Sequence, residues 1–267
     1  MDSGAVKEGL VDDQTTSVLK IAVRSLYDAQ KLRIETGNRI AAHVRDGVLD
    51  EVWAKRLEVD FKILEKFEMA LEKEVDIALD SCDISPWLRA VRGVGPRMAG
   101  CLVSEIRDPG RFDTLSKLWA YSGLHTVIGP SGRQESPRRA KGQKANWNGF
   151  LRAKVVGVLG PSFLKSGSEY KKLYDDNKLR LESRPCTMSL ERHNKKLAAP
   201  RDEAEEATEK VQKLLPNGCT RQHIHDRAIR YMVKLFLRDL YVEWRRIRGI
   251  PTRPTYAEEY LEKSHTV

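Results

Sequence analysis

The residues best placed to do chemistry lie in Leu88-Arg89-Ala90-Val91-Arg92-Gly93-Val94-Gly95-Pro96-Arg97-Met98-Ala99. Two glycines bracket one apolar residue, with proline next and an arginine on either side. Glycine lets the backbone turn tightly with no Cβ in the way, so amide N–H groups can point outward. Pro96 suits the first position of a helix, where a missing N–H does no harm. The first-turn amides and the positive end of the helix dipole would then face the same spot as Gly93, Val94 and Gly95, which suits an anion such as a phosphate. Arg92 and Arg97 add charge there. The bland alternative is a tight helix connection that binds nothing.

A second cationic stretch follows. Between Gly129 and Lys154 stand Arg133, Arg138, Arg139, Lys141, Lys144, Arg152 and Lys154, with Glu135 as the acid among them. The whole chain carries a net charge of +9. That excess fits an anionic partner without naming it. A chain 40% hydrophobic and 32% charged fits a globular protein with exposed helix rather than wholesale disorder. No apolar run approaches a bilayer span, and Met1-Asp2-Ser3-Gly4 lacks a secretory pattern, so no membrane role and a cytoplasmic home are expected. Cys82, Cys101, Cys186 and Cys219 are widely spaced and read as unpaired thiols.

The elements that must position these residues read as all-α. A flexible start covers residues 1–15, and a long antiparallel helical hairpin, coiled-coil-like, covers 16–82. Leu19, Ala22, Val23, Leu26 and Ala29 recur at helical spacing in its first half. Leu57, Phe61, Leu64, Leu71, Val75 and Ala78 do so in its second, with Glu68 standing in the apolar seam. Asp46-Gly47 marks the turn. Such narrow stripes bury little alone, so the arm is expected to pack on a second copy or another domain, making a homo-oligomer.

A compact helical domain with a helix-hairpin-helix motif is expected over 83–182. Ser85 is expected to cap a helix beginning at Pro86, and Thr114 another carrying Leu115, Leu118, Trp119 and Tyr121. Residues 125–145 read as a mobile basic loop without strand. An insertion at 183–218 includes an acidic piece with Asp202, Glu203 and Glu205. A closing helix over 219–250 presents Ile224, Ala228, Tyr231, Met232, Leu235, Phe236, Leu240 and Trp244 on one face, and residues 251–267 form a tail.

The chain also resembles a known family. Gly93-Val94-Gly95-Pro96-Arg97, Glu105-Ile106-x-Asp108-Pro109-x-Arg111-Phe112, Leu118-x-Ala120-Tyr121-x-Gly123-Leu124 and Ser131-Gly132 follow one another as in the C-terminal domain of certain insertion-sequence transposases. These enzymes carry an N-terminal RuvC-like DEDD domain and are the bridge-RNA-guided recombinases. The preceding helical pair resembles their coiled-coil region. The resemblance implies DNA as partner, a structured guide-like RNA as a second ligand, and Ser131 at the position of the nucleophilic serine. A hydroxyl attacks a phosphodiester only when its proton is removed and charge on phosphorus is stabilised, and Arg133, Arg138 and Arg139 can supply charge. The family's metal-binding domain precedes the coiled coil, whereas about 15 residues precede it here. No cofactor is therefore expected unless a RuvC-like partner supplies Mg2+, and enzymatic activity stays open.

The acids Glu58, Glu65, Glu68 and Glu72 read as a solvated helix face rather than a metal site. Cys219-x3-His223-x-His225 matches no familiar zinc spacing. Three readings remain open: a mobile-element-derived DNA-binding protein, a recombinase subunit using Ser131 beside a partner's metal domain, and an assembly protein whose hairpin has lost its ligand.

Overall fold

The computed structural model describes residues 13–48, 50–129, 134–139, 141–185 and 215–253. They are mainly helical, as expected for an all-α chain. The described residues divide into two compact units, one reaching Arg111 and including Glu243–Thr252, the other covering Phe112–Val242.

The first unit is built on α1 (Asp13–Arg45) and α2 (Glu51–Leu79). Gly47 adopts a φ of 70° in the turn between them. The Asp50 carboxylate accepts from the Trp53 amide and starts α2. The helices run antiparallel, with Gly37 against Phe61 and Arg33 against Glu68. Leu57, Phe61, Leu64, Leu71, Val75 and Ala78 are the less exposed face of α2, as their spacing required. Full burial is confined to one end. Leu19, Val23, Leu26, Tyr27 and Ala29 of α1 are buried with Val75 and Leu79 of α2, while Val52, Val59, Ile63 and Phe67 are exposed.

That buried end packs on two short helices, α3 (Ser85–Ala90) and α4 (Pro96–Ile106). Helix α4 buries Met98, Ala99, Leu102, Val103 and Ile106. It lies so close to the arm that a Cβ on Gly100 would sit 2.5 Å from Val75 Cγ1 and 3.0 Å from Val23 Cγ2. This close approach puts α3 and α4 in the same compact unit as the arm. A short 3-10 turn, Pro109–Arg111, ends the run. The unit is completed by the residues after Val242. Arg248 bonds Asp83 at 2.6 Å and Asp108 at 2.8 Å, and Trp244 Nε1 donates to Asp83 at 2.9 Å.

Two capping expectations are corrected. Ser85 is the first residue of α3, with Ile84 at the cap position and no side-chain cap. The Ser85 hydroxyl instead accepts from Arg89 Nε at 3.1 Å. Thr114 does occupy the cap position of α5 (Leu115–Tyr121), but its side chain makes no capping bond.

The second unit contains α5, then β1 (Val127–Ile128) paired antiparallel with β2 (Gln134–Glu135), in register Val127 with Glu135. This small ladder corrects the strandless loop expected there. Next come α6 (Gly149–Lys154), capped by the Asn148 side chain, and α7 (Gly160–Ser166). They are joined through a π-helical turn, Val155–Leu159. Pro161 has no N–H to give the helix, and Gly160 N–H reaches back to Val155 O, the i→i−5 step that defines a π-bulge.

After α8 (Tyr170–Glu182) comes the long α9 (Arg221–Ile247). Within this unit α9 buries Ile224, Ala228, Met232, Leu235, Phe236 and Leu240, as its pattern required. Phe236 meets Phe163 and Tyr170 edge-on, and Tyr170 donates to Asp239 at 3.0 Å. The cysteine reading is corrected in part. Cys82 and Cys101 are buried thiols, whereas Cys219 is disulfide-bonded. Most of the expected insertion at 183–218 lies outside the described residues.

Gly100 tests the packing of this unit. Gly100→Ala is expected to destabilise the protein by about 1–3 kcal/mol through overpacking, read as a lower urea midpoint in circular dichroism. An unchanged midpoint would contradict the close approach.

Candidate nucleic-acid interface

The turn between α3 and α4 is set by Gly93, whose φ of 98° is strained for any residue with a Cβ. Val94 is buried, and its amide donates to Val91 O at 3.1 Å. Val94 therefore anchors the turn from inside. Gly95 precedes the first residue of α4, is exposed, and has open space where a Cβ would stand. Gly95 O accepts from Met98 and Ala99 at 3.0 and 2.9 Å. Pro96 has no N–H, so Arg97 supplies the one remaining first-turn amide of α4, with no carbonyl one turn back to take it.

The two flanking arginines have different fates. Arg92 is exposed and makes no ion pair among the described residues. Arg97 is spent within the protein, 2.8 Å from Glu68 and 2.7 Å from Glu72. Glu68 also receives Arg33 Nε at 2.6 Å. Its side chain is only 7% exposed, so a carboxylate read from sequence as part of a solvated face is instead a buried junction. Burial alone would push the Glu68 carboxyl up. Hydrogen bonds and charge from Arg33 and Arg97 outweigh that, and the net displacement is downward. The sign of that net displacement follows from these two partners. The signal in the sequence was the interruption of the apolar seam at Glu68.

The basic loop lies in the second unit. Arg138, Arg139, Lys141 and Lys144 are exposed, and Arg138 lies 3.6 Å from Glu135. Ser131 and Arg133 fall outside the described residues. The loop's far side is held to α6, where Arg152 donates to Pro137 O at 3.1 Å. Its near side is held at the end of α5. Leu124 N–H bonds Trp119 O at 2.8 Å, and Asn148 N–H bonds Tyr121 O at 2.7 Å. The Leu118–Leu124 motif residues thus build the corner from which β1 departs.

Among the described residues no three or more His, Cys, Asp or Glu side chains converge as a metal site. His225 is engaged instead with Tyr174, 2.7 Å from its hydroxyl. No helix of the described residues is long and apolar enough to cross a membrane.

The described residues thus define a helical module with a glycine turn at one helix start and exposed cations on a separate loop. Residues 85–152 match the family described as Transposase IS116/IS110/IS902 family. This stretch, which contains both features, is transposase-related. No curated protein and no solved structure matches the chain.

The Glu68 junction carries a pH signature. A depressed carboxyl contributes stability above its unfolded range and loses it as pH falls through the folded value. Glu68→Gln should cost about 2–4 kcal/mol at pH 7, less than for a fully buried pair because Arg33 and Arg97 keep some water contact. The difference from wild type should shrink on acidification. Chemical denaturation at pH 7 and pH 3 measures both, and a constant difference would refute the coupling.

Proposed function

We propose that this protein binds DNA as a relative of mobile-element transposases, gripping phosphate backbone through the α3–α4 turn and, separately, through the basic loop. The observation that carries this reading is the coincidence of the transposase match with the stretch holding both cationic features. Arg92 and the Arg97 amide at the start of α4, beside Gly95, act as the phosphate contact in the first unit. Arg97 positions that turn rather than touching DNA, because Glu68 and Glu72 occupy its guanidinium. Arg138, Arg139, Lys141 and Lys144, with Arg133 beside them in the chain, serve as the contacts of the second unit. Such contacts orient a nucleic acid without reading its bases.

The same reading extends to a structured RNA as second ligand, to self-association through the arm, and to a cytoplasmic setting. The exposed apolar residues Val52, Val59, Ile63 and Phe67 support self-association. A second reading makes the protein a recombinase subunit, with Ser131 as nucleophile and a RuvC-like partner supplying Mg2+. It is favoured by the position of Ser131 inside the matched stretch.

Fluorescence anisotropy with a labelled duplex tests the first reading. Wild-type affinity should fall steeply with salt, and Arg92→Glu and the double change Arg138→Glu, Arg139→Glu should weaken binding across sequences. Each lost phosphate contact should flatten the log–log salt dependence by about 0.9. Absence of binding even at low salt would leave an assembly role for the arm and sink the DNA reading.

Ser131→Ala separates the second reading from the first. If strand transfer, assayed with a RuvC-like partner and Mg2+, is lost while DNA binding persists, Ser131 carries the chemistry. Strand transfer at the wild-type rate would remove Ser131 from the mechanism.

A further inference from the structure

The positive charge of the second unit is not confined to its exposed loop. Arg152 of α6 and Arg230 and Lys234, one turn apart on α9, are each half-buried, and the charge of all three reaches His125, the residue that follows the Gly123-Leu124 corner. The Arg152 guanidinium lies 5.1 Å over the Trp147 ring and donates one N–H to Pro137 O. Lys234 Nζ sits 4.0 Å from the centre of the Trp119 ring, whose Nε1 donates to Lys234 O at 3.1 Å. These aromatic rings hold the cations in place without neutralising them. Glycine at 123 makes room for this arrangement, since a Cβ there would lie 2.9 Å from Arg152 Cδ and 2.7 Å from Trp147 Cδ1.

Among the described residues no carboxylate pairs with Arg152, Arg230 or Lys234. His125 Nδ1 is buried without a hydrogen-bond partner. Proteins rarely gather half-buried cations without an anion, because each charge pays desolvation and repels its neighbours. That cost is visible in all four groups. Burial, then the charge of Arg152, brings Arg230 down to about 10. Burial, then Arg230, lowers Lys234. Burial lowers Arg152 as well, and His125 is lowered by burial and by all three cations.

An anion at this point would relieve every one of these penalties. Two guanidiniums, an ammonium and an imidazole offer more donors than a carboxylate can take, and a tetrahedral oxyanion uses them better. We propose that Arg152, Arg230, Lys234 and His125 form a phosphate-binding pocket, separate from the α3–α4 turn and from the exposed loop cations. On the DNA-binding reading above, on which this identification of the ligand rests, the phosphate belongs to a nucleic-acid backbone. The pocket then binds one phosphodiester at a fixed point, whereas Arg138 and Arg139 hold the strand diffusely.

Thermal unfolding of the full chain in sodium phosphate, against sodium chloride at equal ionic strength, tests the pocket. Phosphate should raise the midpoint of the wild type beyond chloride. Arg230→Gln and Lys234→Gln should each weaken phosphate affinity tenfold or more. In chloride both variants should unfold at or above the wild-type midpoint, because each removes an uncompensated charge. That result also rules out misfolding as the cause of lost binding.

A saturating duplex oligonucleotide separates the sources of the phosphate. If it abolishes the inorganic phosphate response, the site takes backbone. If it binds and leaves the response intact, the pocket serves a smaller phosphate compound. A wild type that responds to phosphate and ignores DNA keeps the pocket and sinks only the DNA reading. Equal midpoints in phosphate and chloride, or an undiminished phosphate response in both variants, would overturn the pocket.

Discussion

One carboxylate governs the first unit. Glu68 stands on α2 and takes a guanidinium from α1 through Arg33 and another from the start of α4 through Arg97. Any slip of α2 along α1 would break the first contact. Any tilt of α4 would break the second. Hydrophobic contact at Val23, Val75 and Gly100 is non-directional and fixes distance more than register. The ion pairs add the register, and they aim the glycine turn.

Two sets of cations among the described residues differ in what they meet. In the first unit Arg24, Arg33, Arg89, Arg97 and Arg248 each meet a carboxylate. These charges hold helices together, and Arg33, Arg97 and Arg248 are the least exposed of them. In the second unit Arg152, Arg230 and Lys234 face aromatic rings, a carbonyl and one another. A net charge of +9 is thus a poor guide by itself. What counts is which positive groups already have an internal partner, and composition cannot tell that.

This explains what could be read from the residues alone. Helix spans followed from apolar spacing, because burial of one face is a local property of the pattern. Leu57 to Ala78 on α2 and Ile224 to Leu240 on α9 came through nearly unaltered. The turn at Gly93 was legible for a similar reason, since glycine spacing and proline act on the backbone directly. Long-range pairing was not legible. Arg97 stands far from Glu68 in the chain, and nothing in the local pattern distinguished it from Arg92. Arg230 and Lys234 were masked by their place on an amphipathic helix, where a cation at the edge of the apolar face is ordinary. His125 gave no signal at all. Ser85 and Thr114 failed as caps because a residue type favours that role without compelling it.

The π-helical turn at Val155–Leu159 has a consequence for the shape of the second unit's sequence space. It inserts one residue into what is otherwise a continuous helix from Gly149 to Ser166, and one residue rotates everything beyond it by roughly 100° about the axis. Arg152 before the turn and Phe163 after it thereby keep azimuths that an unbroken α-helix would deny them. Removing a single residue inside the turn would restore regular winding and swing Phe163 away from Tyr170 and Phe236. Indels here are therefore far harder to accommodate than substitutions, although the segment ends at an ordinary-looking Gly-Pro.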